Sequence, residues 1–414
     1  MMKQKQKNWI LGIILIQLVG LICLAILNYK NSLGSHDINI YYQYSLNILE
    51  GKVPYRDFNV EYPPLALLSF LLPRLLTLGL SNNYHVYVCS LLLINITIVS
   101  LNSLLILKIT KSYYSQNQQI IVLISYTLCS FLLVPIMLWR YDLFSTLLTV
   151  LALFAIISAR PRLAGICLGL GIAAKLYPLV MLPIFAAYYL AHKTYRAILN
   201  LFFGALGAIT FSCLPFLVIR NSNFLSFLSY HKERGIQIES LPAGLITLAH
   251  KFGVIEVQTV GNYGSRNIVS PLDESILHAL PWLFIIMYSI ILLNSFYRFR
   301  QERYQNELVK VTALAAYTVL SLLIFIITNK VFSPQYLIWI LPFTVILKPR
   351  EILLTIYICL TTYIMISVGS FRNLDYAKII WLNVRNVLVL VLCIGMFKEY
   401  LPSSFDAVFQ RSKS

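Results

Sequence analysis

Charge is scarce in this sequence. Only 12% of its 414 residues are Asp, Glu, Lys or Arg, about half the ~25% of an ordinary soluble domain. The scarcity runs the whole length and excludes a soluble enzyme. Acids are scarcer still, 16 against 33 basic residues, for a net charge of +17. There is no Walker lysine motif and no G-x-G-x-x-G, so nothing marks a nucleotide site. No C-x-x-C pair occurs either. Cys23, Cys89, Cys129, Cys167, Cys213, Cys359 and Cys393 each sit inside an apolar run. They read as small buried apolar residues, which excludes a disulfide framework or a cysteine metal site. No low-complexity tail, soluble domain or convincing internal repeat is visible. The missing repeat argues against a secondary transporter.

What the chain does have is apolar length. It is 58% hydrophobic with a mean hydropathy of +0.75, and apolar runs recur from Trp9 to Phe397, which excludes disorder. A spanning helix needs ~20 apolar residues, so the chain has room for many. The expected spans are 9–29, 84–107, 119–138, 143–159, 163–175, 178–191, 197–219, 276–296, 309–329, 334–347, 351–370 and 377–397. The fifth and sixth are too short to cross alone. Pro178 separates them and basic residues flank the pair, which suits two short helices in a hairpin or one kinked span. Lys3, Lys5 and Lys7 precede Trp9–Leu27, a run longer than a signal h-region and followed by no A-x-A site. It reads as an uncleaved first span with a cytoplasmic N-terminus.

Charge sets the expected orientation. The proposed cytoplasmic segments hold 18 of the 33 basic residues and 5 of the 16 acids. They include Lys108, Lys111, Arg160, Arg162, Lys193, Arg196, Lys348, Arg350, Arg411 and Lys413. This bias follows the positive-inside rule and puts both termini in the cytoplasm. Such a net charge on a soluble protein would suggest nucleic acid; here it belongs to membrane topology, and no nucleic-acid partner is expected. Two long outer loops remain, 30–83 and 220–275, within what reads as one transmembrane domain over 1–414. Long ordered loops are usually functional. ATP is absent on that face, so an activated substrate must arrive on a lipid.

The candidate chemistry gathers on that outer face. Asp37 follows the first span by about one turn of chain, in Ser35-His36-Asp37-Ile38-Asn39-Ile40-Tyr41-Tyr42. A carboxylate there can act as a general base, worth ~10²–10⁴ in rate, or it is a solvated acid or helix cap. Gly51 and Pro54 mark a turn. Glu61-Tyr62-Pro63-Pro64-Leu65 then leads into an interfacial helix, 65–80, that keeps Arg74 and ends at Gly79. Asp57 and Glu61 are second-choice acids, whose plain role is to pair with Lys52, Arg56 or Arg74. Arg140 and Asp142, in Trp139-Arg140-Tyr141-Asp142, either pair with each other or face a phosphate and a sugar. Lys175 stands at the tip of the short hairpin. It is a functional candidate by default, or a snorkelling lysine. His231, Lys232 and Arg234 put three cations in four positions, fit for a phosphate or merely a solvated face. Lys330 ends one span, and Pro334 starts the next. Gln335 and Tyr336 then stand at a helix start.

Together these segments resemble the GT-C glycosyltransferases, and most closely glycosyltransferase family 87. That family holds polyprenol-phosphate-mannose-dependent mannosyltransferases. The resemblance rests on Asp37-Ile38-Asn39-Ile40-Tyr41, Gly51…Pro54-Tyr55 and Glu61-Tyr62-Pro63-Pro64-Leu65. It continues through Ala164-Gly165…Gly169-Leu170-Gly171…Lys175…Pro178 and Arg234-Gly235…Gln237…Glu239-Ser240-Leu241. Ser333-Pro334-Gln335-Tyr336…Trp339 completes it. The set runs in order over most of the chain. Where family members often carry a Gly-Gln-x-Asn-like patch before the fourth span, this chain has Arg140-Tyr141-Asp142.

The resemblance implies an all-α, polytopic GT-C fold of about twelve spans, embedded in a lipid bilayer. It implies a polyprenyl-phosphate sugar donor, a lipid-linked or polymeric glycan acceptor, and Asp37 as the base of an inverting transfer of a hexose such as mannose. Lys175, Arg234, His231, Arg140 and Lys330 are then the candidates for the donor phosphate. Asp142, Tyr41, Glu61, Gln335 and Tyr336 are candidates for the acceptor, the sugar or the support of the site. Tyr42, Tyr62 and Tyr263 are further rings able to stack on sugars. These residues require no metal or cofactor. A bacterial plasma membrane is the expected location, since the outer loops carry no N-x-S/T sequon. A glycan polymerase or ligase, and a lipid-linked sugar flippase or transporter, are the competing readings.

Overall fold

A computed structural model describes residues 2–32, 36–77, 82–303 and 305–402. Ser35, Gly79, Arg411 and Lys413 lie outside the described residues. The chain is 75% helical, with 17 α-helices among those residues. They begin with α1 (Met2–Ser32), α2 (His36–Leu49), α3 (Ala66–Leu76), α4 (Tyr84–Thr110), α5 (Gln116–Leu132), α6 (Val134–Met137) and α7 (Asp142–Ile157). Then come α8 (Pro161–Ala174), α9 (Leu182–Ala191), α10 (Tyr195–Val218), α11 (Ser226–Glu233) and α12 (Leu241–Lys251). The remainder are α13 (Asp273–Glu302), α14 (Glu307–Ile327), α15 (Leu337–Thr344), α16 (Pro349–Ser367) and α17 (Tyr376–Glu399). A helix covers the heart of every expected span.

Seven of these helices are long and apolar enough to cross a membrane. Shorter apolar helices fill the centre, among them α7 and α8. The helix starts follow local chemistry. Asn83 caps α4 by accepting from the His85 and Val86 amides, and Ser115 and Gln118 form a reciprocal capping box on α5. The core is not shared evenly. In its most apolar stretch α14 is 78% buried whereas α13 is 6% buried. So α14 is the central post of the bundle, and α13 presents apolar side chains outward, as a lipid-facing helix does.

The 163–191 region resolves into two helices. α8 ends where Lys175 turns extended, and a 3₁₀ turn over Tyr177–Met181 leads into α9. Close backbone approach fixes α8 against α10. A Cβ on Gly165 would come 2.0 Å from the Leu201 carbonyl oxygen, and one on Gly169 2.4 Å from that of Ala205. From the other side, a Cβ on Gly204 would meet the Arg162 carbonyl at 2.4 Å. Only glycine lets two helix backbones touch in this way, the small-residue mode of membrane helices.

The first loop carries two helices, α2 and α3. Arg74 is buried rather than interfacial, its guanidinium 4.8 Å above the Tyr42 ring. The second loop holds an element the sequence did not suggest, an antiparallel β-hairpin of β1 (Gln258–Asn262) and β2 (Ser265–Val269). The two loops meet. The Asn223 amide donates to the Tyr55 carbonyl at 2.9 Å. The hairpin tip at Gly264 lies beside Tyr230 and His36.

Candidate active site

Four remote stretches converge where the two loops meet. Asp37 sits in the first turn of α2, directly after the first span. Arg140 ends the segment before α7, and its Nε lies 2.7 Å from Asp37 Oδ2. Both side chains are about one-fifth exposed, so the pair is desolvated yet open. The same Nε lies 3.4 Å from Gln335 Oε1, which also accepts from Ser333 Oγ at 2.9 Å.

A second charged pair lies beneath the first. Lys175 Nζ stands 2.6 Å from Asp142 Oδ1. Trp339 Nε1 donates to that same oxygen at 2.7 Å. Asp142 is fully buried, and its Oδ2 has no hydrogen-bond partner. The lysine also faces the Tyr141 and Trp339 rings at 4.7 and 5.3 Å, so aromatic faces share in holding the cation. Lys175 is within electrostatic reach of Asp37 and Arg140, which joins the two pairs in one site.

The second loop forms a further wall. Arg234 donates to Ser265 Oγ at 3.1 Å, tying the end of α11 to the β-hairpin. Lys330 Nζ donates to the Lys232 carbonyl at 2.8 Å, and the Lys330 carbonyl accepts from the Gln237 amide at 2.9 Å. Tyr230 stands within electrostatic reach of Glu61, which brings the first loop against the second. Desolvation by neighbouring side chains, then the charges of Arg234, Lys175 and Lys330, depress the His231 pKa to about 4, although its surface stays accessible. His231 is therefore neutral near pH 7, and the expected triple cation of His231, Lys232 and Arg234 is a double one. Burial, then Arg234, also lowers the Lys330 ammonium pKa.

Two expected pairings, of Arg140 with Asp142 and of Glu61 with a basic side chain, are replaced by others, whereas Asp57 pairs with Arg56 as expected. Arg140 does not pair with Asp142, because the fold gives each a partner from elsewhere. Asp57 takes Arg56 at 2.8 Å, and Lys52 takes Glu50 at 2.9 Å. Hydrogen bonds from Arg56 and the Val53 amide hold the Asp57 carboxyl down at about 2. Glu61 lies near Tyr230 instead. Tyr41 is buried under the site, stacked on Phe70 at 4.4 Å and edge-on to Tyr141 at 5.7 Å, so it supports α2 rather than offering a ring to a sugar. Tyr62 belongs to the same aromatic cluster. Tyr263 packs on Tyr230, and its hydroxyl reaches Glu233 at 3.2 Å. Tyr336 stacks on Trp339 at 3.9 Å, and Tyr177 covers the other face at 4.1 Å.

Glu239, Trp339 and Tyr230 are site members that residue-by-residue reading missed. Glu239 accepts from Gln237 Nε2 at 2.6 Å and lies within reach of Arg140 and Arg234. Burial raises its carboxyl pKa, and Arg385 and Lys378 oppose the shift. Arg385, fully buried on α17, donates to the Glu239 carbonyl at 2.5 Å and fixes that backbone. Glu239 and Trp339 stand within sequence segments that already drew notice, but only the fold aims them here. Among the described residues, no three His, Cys, Asp or Glu side chains gather as a metal site.

A profile of glycosyltransferase family 87 matches residues 60–325. The chain belongs to that family. This is the family that the sequence resemblance named. The family 87 match takes in Glu61, Arg140, Asp142, Lys175, His231, Arg234 and Glu239. Asp37, Lys330, Gln335 and Tyr336 fall outside it and join the site through the fold alone. No curated protein matches the chain. Two solved structures are similar to it in outline. One is the Archaeoglobus fulgidus oligosaccharyltransferase in the apo form, at 14% identity and a TM-score of 0.47. That alignment covers 92% of this chain and 56% of the other. The second is the archaeal oligosaccharyltransferase AglB from the same organism, in complex with an inhibitory peptide and a dolichol-phosphate. It gives 16% identity and a TM-score of 0.42, covering 96% of this chain and 56% of that one. The family 87 chain thus spans little more than half the length of either.

Proposed function

We propose that this family 87 enzyme transfers a hexose, with mannose the first candidate, from a polyprenyl-phosphate donor to a lipid-linked or polymeric glycan. The observation that carries the reading is the meeting of Asp37 with Arg140 at 2.7 Å, beside Lys175 and Arg234. One carboxylate able to take a proton stands among cations able to hold a phosphate. Asp37 accepts the proton of an acceptor hydroxyl. The hydroxyl oxygen attacks the anomeric carbon from the face opposite the phosphate. The bond from that carbon to the phosphate oxygen breaks, its electron pair leaves with the lipid phosphate, and configuration inverts. Asp37 then releases its proton to water.

The cations stabilise the charge that grows on the leaving phosphate, the kind of preorganised term that dominates many enzymatic rates. Arg140 and Lys175 suit this best, because Asp37 and Asp142 hold them in place before substrate arrives. Arg234 approaches from the second loop. His231, neutral at physiological pH, serves as a hydrogen-bonding group in this reading. Gln335 orients Arg140, while Glu61, Glu239 and Tyr336 line the region open to sugar hydroxyls. The site lies on the outer face of a bacterial plasma membrane, with both termini in the cytoplasm and loops 30–83 and 220–275 around it.

The test is transfer itself. Purified enzyme is incubated with radiolabelled polyprenyl-phosphate mannose and a membrane lipid extract, then with a panel of other polyprenyl-phosphate hexoses. Label should move to a new lipid or polymer with inverted anomeric configuration. Label remaining on every donor would overturn the reading and bring the flippase forward.

A further inference from the structure

A cavity of about 760 Å³ opens far from the transfer site. Its position follows from α4 and α7. Asn95 on α4 donates to the Leu138 and Arg140 carbonyls, at the level of the site. Lys108 lies thirteen residues further along the same helix, about 20 Å away at 1.5 Å per residue. Leu147 and Leu151 likewise lie one to two turns and more beyond Asp142 on α7. The cavity therefore sits towards the opposite end of the bundle, between the beginning of α1, the end of α4, the start of α5 and the middle of α7.

Its walls divide by chemistry. Leu101, Leu104, Leu147 and Leu151 make an apolar trough, and Leu101 and Leu104 are exposed on the side that faces lipid. Lys108 and Lys111 stand at one rim, both exposed, with Ser115 and Gln116 beside them. No acid is among the lining residues. An apolar trough with a purely cationic and hydrogen-bonding rim is complementary to a molecule with hydrocarbon chains and one anionic head. Basic residues beside a membrane end attract anionic lipids by this means.

We propose that this groove binds an anionic glycerophospholipid of the leaflet opposite the transfer site. The phosphate lies between Lys108 and Lys111, with Ser115 and Gln116 as further hydrogen-bonding groups. The acyl chains run along Leu101, Leu104, Leu147 and Leu151. Bound there, the lipid bridges α1 to α4 and α7; Asp142 stands at the far end of α7, and α1 leads into the loop that carries Asp37.

The experiment is lipid titration of the full chain in detergent by native mass spectrometry. The probes are dioleoylphosphatidylglycerol, dioleoylphosphatidylcholine and undecaprenyl phosphate. Each lysine near a membrane surface contributes about fivefold toward an anionic lipid, so the wild type should prefer phosphatidylglycerol over phosphatidylcholine by roughly 30-fold. Lys108→Gln with Lys111→Gln should remove that preference. Leu104→Trp, which fills the trough and leaves the charges, should weaken both phospholipids together. Equal binding of the two by the wild type would overturn the proposal, as would a preference that survives the double lysine change. Tighter binding of undecaprenyl phosphate than phosphatidylglycerol would overturn it in favour of the polyprenyl carrier.

Discussion

Arg140 Nε lies 2.7 Å from Asp37 Oδ2. This contact joins the start of the first loop to the end of the segment before α7, and it makes one guanidinium the neighbour of both proposed partners, base and phosphate. Arg140→Ala should lower kcat by ~10²–10³, the usual cost of removing a donor aimed at developing charge. Arg140→Lys should recover only part of this. A lysine supplies a point charge without the rigid guanidinium whose Nε stands against both Asp37 and Gln335. Label-transfer kinetics on the two variants check the order. Equal activity of Arg140→Lys and wild type would show that charge alone suffices.

Asp142 and Lys175 are coupled more through stability. Removing one partner of a buried ion pair leaves the other charge uncompensated, at about 3–5 kcal/mol. Asp142→Ala should therefore cause a large drop in the thermal unfolding temperature. Asp142→Leu combined with Lys175→Met should restore much of it, since both charges are then gone. Activity should stay lost in the double variant, because the proposed phosphate cation is absent. Thermal unfolding and transfer, measured on the same preparations, separate the two effects.

The α8–α10 contact gives a purely structural test. Gly169→Ala would place a methyl 2.4 Å from the Ala205 carbonyl oxygen. Overpacking of this kind costs about 1–3 kcal/mol. Gly207→Ala is the comparison, since its new Cβ meets nothing within 4 Å. The first should unfold at lower temperature than wild type and the second should not.

His231 supplies a pH test. Its pKa falls from 6.5 to about 4 in the folded chain. Between those values the unfolded chain binds a proton that the folded chain does not. Stability from this group is thus fully present above pH 6.5 and is lost as pH falls toward 4. His231→Gln should flatten the dependence of unfolding temperature on pH across that window. An unchanged slope would mean that another group titrates there.

The helices were legible because they follow from apolar run length and caps. The expected span 84–107 is Tyr84–Thr110, opened by Asn83, and of the two readings left for 163–191, two short helices or one kinked span, the structure has two helices, α8 and α9. The β-hairpin was not legible. Its strands are only five residues each, and their pairing is closed by Asn262, Tyr263 and Gly264. Sequence nearness pointed Arg140 at Asp142, whereas the fold sends each to a distant partner. No local pattern encodes such a choice, since it depends on where α2 and the α8 tip arrive. The depressed pKa of His231 is hidden for the same reason, because the desolvation that chiefly causes it, and the nearness of Lys175 and Lys330, are set by the fold. Gathering these residues in one place gives the proposed roles a physical basis, which kinetics must then test.

The most direct test concerns Asp37. Asp37→Asn keeps the side-chain shape and removes the basic oxygen. Purified wild type and variant would be given the labelled polyprenyl-phosphate hexose that the wild type uses, with donor binding measured alongside transfer. The account expects transfer to fall by ~10²–10⁴ while donor affinity stays within a few-fold, as for loss of a general base. Transfer near the wild-type rate in Asp37→Asn would contradict it.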